Sequence, residues 1–216
     1  MNRIARTLSY VPESLHATAL PMRHVRLLRW WLPMLLAVAL LANIQLAQAA
    51  KPGIDAVLVM DSSGSMLKND PKKLRVPAAK LFMSLLGKED RVGLISFSDA
   101  GYPVLHLTRL EAGNREMAVA STERVSSKGI YTNLHAALLK GQEMLQKEGD
   151  PERERMLILM SDGRMDVGDD FENHRLEEAV KDDVVEQLKK DGIKVYTIAF
   201  TEASDMELLQ EVAEDT

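Results

Sequence analysis

The 216-residue chain contains no cysteine. Disulfides, thiolate zinc sites and cysteine nucleophiles are therefore excluded, and cysteine usage says nothing about the redox compartment. Aromatic residues make up only 5%, and both tryptophans, Trp30 and Trp31, fall in one apolar run near the N-terminus. Catalytic signatures are missing as well. There is no Gly-x-Ser-x-Gly elbow, no Walker-type phosphate loop and no His-Glu-x-x-His helix, so no positioned nucleophile or base can be read from the order of residues. Basic charge is also short. The formal charge is −5, and the first 49 residues carry five Arg against Glu13 alone, which leaves −9 for the remainder. A domain this acidic, without an Arg/Lys stripe, is poorly suited to nucleic acid or an anionic membrane surface. Internal repeats and low-complexity segments are absent too.

What is present begins with Arg23-His24-Val25-Arg26-Leu27-Leu28-Arg29, an apolar run from Trp30 to Ile44, and then Ala47-Gln48-Ala49. A basic stretch, an apolar run shorter than the roughly 20 residues of a spanning helix, and small residues for cleavage are the three parts of an export signal. Residues 22–49 are expected to form a signal peptide cut after Ala49 or Ala50, which would remove both tryptophans. The alternative is an uncleaved membrane anchor from Leu27 to Ala50. Either places the rest of the chain outside the cytoplasm, as a periplasmic, secreted or membrane-anchored domain. Residues 1–21 fit neither role, and Met22 stands directly before Arg23. They are expected to be an extension upstream of the true start, or else a disordered n-region.

From Ile54 onward short apolar runs alternate with longer amphipathic ones, the rhythm of a parallel sheet wrapped by helices. Strands are expected at 55–60, 91–97, 104–110, 156–160 and 194–200. The 98–103 link is too short for a helical crossover, so the third strand should pair antiparallel, with Pro103 suited to an edge. Helical spacing links Ala78, Leu81, Phe82 and Leu85, then Leu134, Ala137, Leu138 and Leu145, then Leu176, Ala179, Val180 and Leu188. Asp70-Pro71 reads as an N-cap with proline at the first helical position, and Gly87, Gly149 and Gly192 stand where C-terminal caps belong. Pro77 conflicts with a helix interior, so the main helix should begin near it. Ser204 and Glu207 form a capping box for a last helix. The expectation is one α/β domain over 52–216. A helix packed on such a sheet normally leads into another strand, so a C-terminal strand and helix are expected to be missing after Thr216.

Five oxygen-bearing residues stand at the ends of these runs. Asp61 ends the first strand, Ser63 and Ser65 follow in its loop, Thr132 opens a helix, and Asp162 ends the strand at 156–160. In an open parallel sheet, ligands collect at the carboxyl ends of strands where the strand order reverses. Two carboxylates and three hydroxyls are hard donors that suit Mg²⁺ or Mn²⁺, leaving positions for water and one outside ligand; Ca²⁺ would want more oxygens. Gly64 and Gly163 allow close backbone approach beside each aspartate. Singly, each Ser or Asp could equally cap a helix or make a turn. Asp166, Asp169, Asp170 and Glu172 form either a solvated loop or part of a ligand surface. Tyr131 either rims the site or packs in the core. His106, His135 and His174 share no motif.

The run Asp61-Ser62-Ser63-Gly64-Ser65-Met66, with Thr132-Asn133-Leu134 and Ser161-Asp162-Gly163, resembles the von Willebrand factor A (VWA) domain family and its metal-ion-dependent adhesion site (MIDAS). The resemblance runs from about Ile54 to Thr216. It implies a Rossmann-like, mostly parallel sheet with one antiparallel edge strand and helices on both faces. It also implies a bound divalent cation and a protein partner that donates a Glu or Asp carboxylate. Ser63, Ser65 and Thr132 would bind the cation directly, with Asp61 and Asp162 ligating directly or through water. The implied function is an exported, non-enzymatic protein-binding module for adhesion or assembly. Two alternatives stand beside it: a Mg²⁺- or Mn²⁺-dependent phosphoesterase, and the N-terminal part of a larger membrane-associated assembly protein.

Overall fold

The computed structural model describes residues 53–162, 164–200 and 206–216. The expected signal segment, Gly163 and the Ser204 half of the capping box lie outside these residues. Five strands, β1 (Ile54–Asp61), β2 (Arg91–Phe97), β3 (Gly101–Arg109), β4 (Glu154–Ser161) and β5 (Ile193–Ala199), form one sheet in the order β3-β2-β1-β4-β5. β1 pairs in parallel with β2 and β4, and β4 with β5. β3 is the antiparallel edge, reached through the short link, with Pro103 opposite Ile95 inside the strand. An edge tolerates a residue without a donor, which lets β3 begin before the proline rather than after it.

The helices are α1 (Met66–Asn69), α2 (Arg75–Leu85), α3 (Asn114–Ser121), α4 (Leu134–Glu148), α5 (Asp170–Ala179), α6 (Val185–Lys190) and α7 (Met206–Glu214). Because strand side chains alternate, β1 feeds two cores. Val57 and Val59 join Ile95, Leu157 and Leu159 under α4, α5, α6 and α7, contacting Leu138, Leu176, Leu188 and Leu209. Ala56, Leu58 and Met60 join Leu94 and Ile158 under α2 and α3, with Val76, Met83 and Ala118. A central strand covered on both faces is apolar on both through its middle, which is why Ala56 to Met60 in β1 and Met156 to Met160 in β4 read as continuous runs, with the polar residues kept to the strand ends. Among the described residues no helix is long and apolar enough to cross a membrane.

Two local expectations need correction. Asp70-Pro71 does not open a helix: residues after Asp70 form a turn with Lys73 at φ 52°, and α2 starts at Arg75. Asp70 still caps, accepting from the Leu74 N–H at 2.5 Å and the Arg75 N–H at 3.2 Å. Pro77 then falls in the first turn of α2, where backbone donors have no helical acceptor and its missing N–H costs nothing. Gly87 and Gly192 both stand one residue past a C-cap, after Leu86 and Asp191, as expected; of the two only Gly192, at φ 66°, makes the left-handed turn. The periodic segment carrying Leu176 and Leu188 is interrupted by a π-turn, Val180–Val184, joining α5 to α6.

At the amino end of the sheet Asp55 is fully buried. It accepts from Arg91 Nε at 2.7 Å, Arg153 Nε at 2.7 Å, the Asp150 N–H at 2.8 Å and Arg91 Nη2. This node holds the starts of β1, β2 and β4 together at the end of the sheet remote from Asp61.

Candidate functional site

The sheet order reverses at the β1/β4 junction, and the carboxyl ends of these two strands carry the expected residues. Asp61 is the last residue of β1 and is fully buried. Its Oδ1 accepts from the Ser63 N–H at 2.8 Å, and its Oδ2 from the Ser161 hydroxyl, at the end of β4, at 2.6 Å. Burial pushes the Asp61 carboxyl up from 3.8 to about 6; the hydrogen bonds from Ser161 and Ser63 work against this, while the nearby Asp162 charge adds to it.

The loop after β1 is anchored on both sides. Ser62 donates its hydroxyl and its N–H to the Phe97 carbonyl at the end of β2, at 2.7 and 2.8 Å. A strand-like bridge joins Ser63 to Gly129: Gly64 N–H reaches the Gly129 carbonyl at 2.8 Å and Gly129 N–H the Ser62 carbonyl at 2.9 Å. Glycine is required at 129, because a Cβ there would stand 2.1 Å from Ser98 Oγ. Ser98 in turn donates its hydroxyl to the Tyr131 carbonyl at 2.9 Å and accepts the Asn133 N–H at 2.7 Å. Asn133 caps α4 by accepting the Ala136 N–H at 2.9 Å. Thr132 is thereby fixed, and it exchanges backbone hydrogen bonds with Asp166 at 2.7 and 3.0 Å.

These contacts surround a cavity of about 380 Å³ walled by Ser65, Asn69, Thr132 and Asp162 and rimmed by Lys68, Arg164 and Asp166. Ser63 lies behind Ser65, their hydroxyls 2.8 Å apart. Asp61 sits deeper still, linked through the Ser63 N–H. Asp162 is buried, with Oδ2 accepting from Asn69 Nδ2 at 2.8 Å and Oδ1 lacking any hydrogen-bond partner. The structure thus brings all five expected residues to one sheet end, three of them in the cavity wall.

Sequence reasoning missed Asn69, Ser161 and a buried ion pair. Asn69 follows Ser65 by four residues on one helical turn, the spacing that places two side chains on one face. Arg75 and Asp70 are both buried, with Nη1 and Oδ2 2.9 Å apart, and Arg75 Nη2 reaches the Ser126 carbonyl at 3.1 Å and the Ser127 hydroxyl. This pair ties the segment after α1 to the one that leads into Thr132. The acidic run after Asp162 divides: Asp166 lines the cavity, whereas Asp169 caps α5 through the Glu172 N–H at 2.9 Å and Glu172 pairs with Arg175. Tyr131 packs against Gly168, where a Cβ would come within 2.8 Å of its ring. His106 and His174 are exposed beside Glu148 and Glu178, and partial burial of His135 holds its imidazole below the ordinary value. Among the described residues no three His, Cys, Asp or Glu side chains are grouped to hold a metal, so any cation here would depend on hydroxyls.

Among solved structures, proximal thread matrix protein 1 from the mussel byssus aligns at 19% identity and a TM-score of 0.60, over 76% of this chain and 41% of that one. A form of the same byssus protein with a zinc-occupied MIDAS motif aligns at 17% and 0.59, over 76% and 42%. The PilB minor pilin of Streptococcus sanguinis aligns at 17% and 0.59, over 77% of this chain and 56% of the pilin. The vWF domain of the type V pili tip protein Mfa5 from Porphyromonas gingivalis aligns at 12% and 0.56, over 77% and 87%. At these identities the likeness is one of fold, and this chain spans well under two thirds of the byssus protein and the pilin. No curated protein matches it in sequence. The family model for the von Willebrand factor type A domain matches residues 55–216, from β1 to the end of the sequence, and the chain belongs to that family.

Proposed function

We propose that the domain is an exported protein-binding module that captures an acidic side chain of its partner through a divalent cation. The observation that carries this reading is Asp162 Oδ1, a buried carboxylate oxygen without a donor, in the wall that also holds the Ser65 and Thr132 hydroxyls. Burying an acceptor unpartnered is costly, and a cation supplies the missing partner. Asn69 occupies Oδ2 and so leaves Oδ1 as the free oxygen. Ser63, Ser65 and Thr132 offer hydroxyls, and Asp61 and Asp162 carboxylates, a hard and sparsely charged set that favours Mg²⁺ or Mn²⁺. When bound, the cation supplies an open coordination position for an outside carboxylate. The zinc-occupied motif of the byssus protein supports a cation in this fold, and the basic, apolar and small-residue sequence at 23–49 supports export.

The test is a titration of Mg²⁺, Mn²⁺ and Zn²⁺ followed by calorimetry and thermal melting. One ion should bind per chain, and Thr132→Ala or Asp162→Ala should weaken it at least tenfold. A melting temperature unmoved by all three ions would refute the reading. Turnover gains no specific observation from the cavity, and a phosphatase screen with Mg²⁺ or Mn²⁺ separates a phosphoesterase from a binding module.

A further inference from the structure

Two cavity residues have no part in holding the cation. Lys68, three residues after Ser65, and Arg164, two after Asp162, both line the cavity and are exposed. Neither side chain is engaged in an ion pair or hydrogen bond among the described residues. Other surface cations fall in both classes, Lys80, Arg109 and Lys194 being paired with glutamates and Lys72, Lys88 and Lys128 not, among the described residues; what distinguishes Lys68 and Arg164 is that both stand in the cavity.

The charges facing Lys68 and Arg164 are few. Asp162 gives one oxygen to Asn69, and Asp166 Oδ1 accepts the Gly168 N–H at 3.0 Å. The two cations therefore balance the two lining carboxylates, and a divalent ion at Asp162 leaves the cavity mouth with surplus positive charge even with Asp61 ionised behind it. The space is also larger than one carboxylate requires. At about 30 Å³ per water-sized group, a cavity of about 380 Å³ has room for a second anionic group beside the first.

We propose that Lys68 and Arg164 form a second anion-binding position beside the cation, so that the domain selects a protein segment carrying two acidic side chains. One carboxylate meets the cation and the other meets the Lys68 and Arg164 side chains, with the guanidinium suited to a bidentate grip. An anionic lipid headgroup would offer similar charges, but the net −9 of the folded part opposes approach to an anionic membrane. This inference rests on the cation reading above and adds the chemistry of the partner.

The experiment uses the full chain saturated with Mn²⁺ and two fluorescent nonapeptides of Gly and Ser, one with a single central Glu and one with Glu-Gly-Glu. The two-Glu peptide should bind at least tenfold more tightly, and 0.5 M NaCl should reduce that ratio. In the double variant Lys68→Gln/Arg164→Gln the ratio should fall to twofold or less while one Mn²⁺ still binds per chain, no more weakly than in the wild type, since two positive charges beside the ion have been removed. Equal affinities in the wild type, a ratio that survives the double substitution, or binding of phosphatidylserine vesicles in place of either peptide would overturn the proposal. If Mn²⁺ itself does not bind, the cation reading falls and this one with it; if Mn²⁺ binds and the peptides are not distinguished, only this one falls.

Discussion

Replacing Asp61 with Asn is expected to stabilise the cation-free protein at pH 7 and to abolish its response to Mg²⁺ or Mn²⁺. The side chain is fully buried and accepts from Ser63 N–H and Ser161 Oγ. Asn has almost the same shape; its carbonyl oxygen keeps the Ser63 contact, and its amide can donate to a Ser161 hydroxyl that rotates. What changes is charge. Burial raises the carboxyl from 3.8 to about 6, a rise of roughly two units, or about 3 kcal/mol against the ionised form. The folded state thus holds its proton more tightly than the unfolded chain. Wild-type stability from this group is full below pH 3.8 and is lost as pH rises through 6. Asn does not titrate, so the advantage of the variant should open between pH 4 and 7 and stay level above. Urea denaturation in EDTA at several pH values measures it. Thermal melting should show a rise of about 6–12 °C at pH 7, at roughly 2–4 °C per kcal/mol for a domain of this size. With Mn²⁺ the wild type should gain stability and the variant should not. A variant less stable than wild type in EDTA at pH 7, or an advantage independent of pH, would refute the argument.

Gly129→Ala should cost about 2–4 kcal/mol, since the new Cβ collides with Ser98 and removes its bond to the Tyr131 carbonyl. Urea melts should show most of the loss restored when Ser98→Gly is added, and a single variant as stable as wild type would contradict the packing argument. Asp55→Ala should cost about 3–5 kcal/mol by leaving Arg91 and Arg153 unpaired at the amino end of the sheet. Calorimetry on the folded protein should nevertheless return unchanged Mn²⁺ affinity, because the node and the cavity lie at opposite ends of β1.

The parts of the fold legible in the amino-acid order were those in which one local cause decides. β1 and β4 are covered on both faces and so are apolar throughout their middles, Ala56 to Met60 and Met156 to Met160, and the link at 98–103 is too short for anything but an antiparallel turn. The five oxygen-bearing residues were legible because each stands where a strand ends or a helix begins. The start of α2 was not, because Asp70 caps from four and five residues away and is held there by Arg75, whose guanidinium is committed to Ser126 and Ser127 some fifty positions on. Asn69 meets Asp162 across 93 residues, and Ser161 meets Asp61 across 100. Such pairs exist only once β1 and β4 lie side by side, and no spacing rule contains them.

The π-turn at Val180–Val184 has a consequence for how this chain tolerates changes of length. Its i→i+5 bonding spends one residue more than an α-helical turn would, and its outer positions Asp182 and Asp183 are exposed while Val180 and Val184 are buried. Deleting either aspartate would close the turn into plain α-helix and leave Leu176 and Leu188 facing the same core. The same deletion within α5 or α6 would rotate everything beyond it by about 100° and turn an apolar face outward. The turn therefore acts as a slack link, the place in this helix where a one-residue deletion could become fixed without disturbing the sheet beneath.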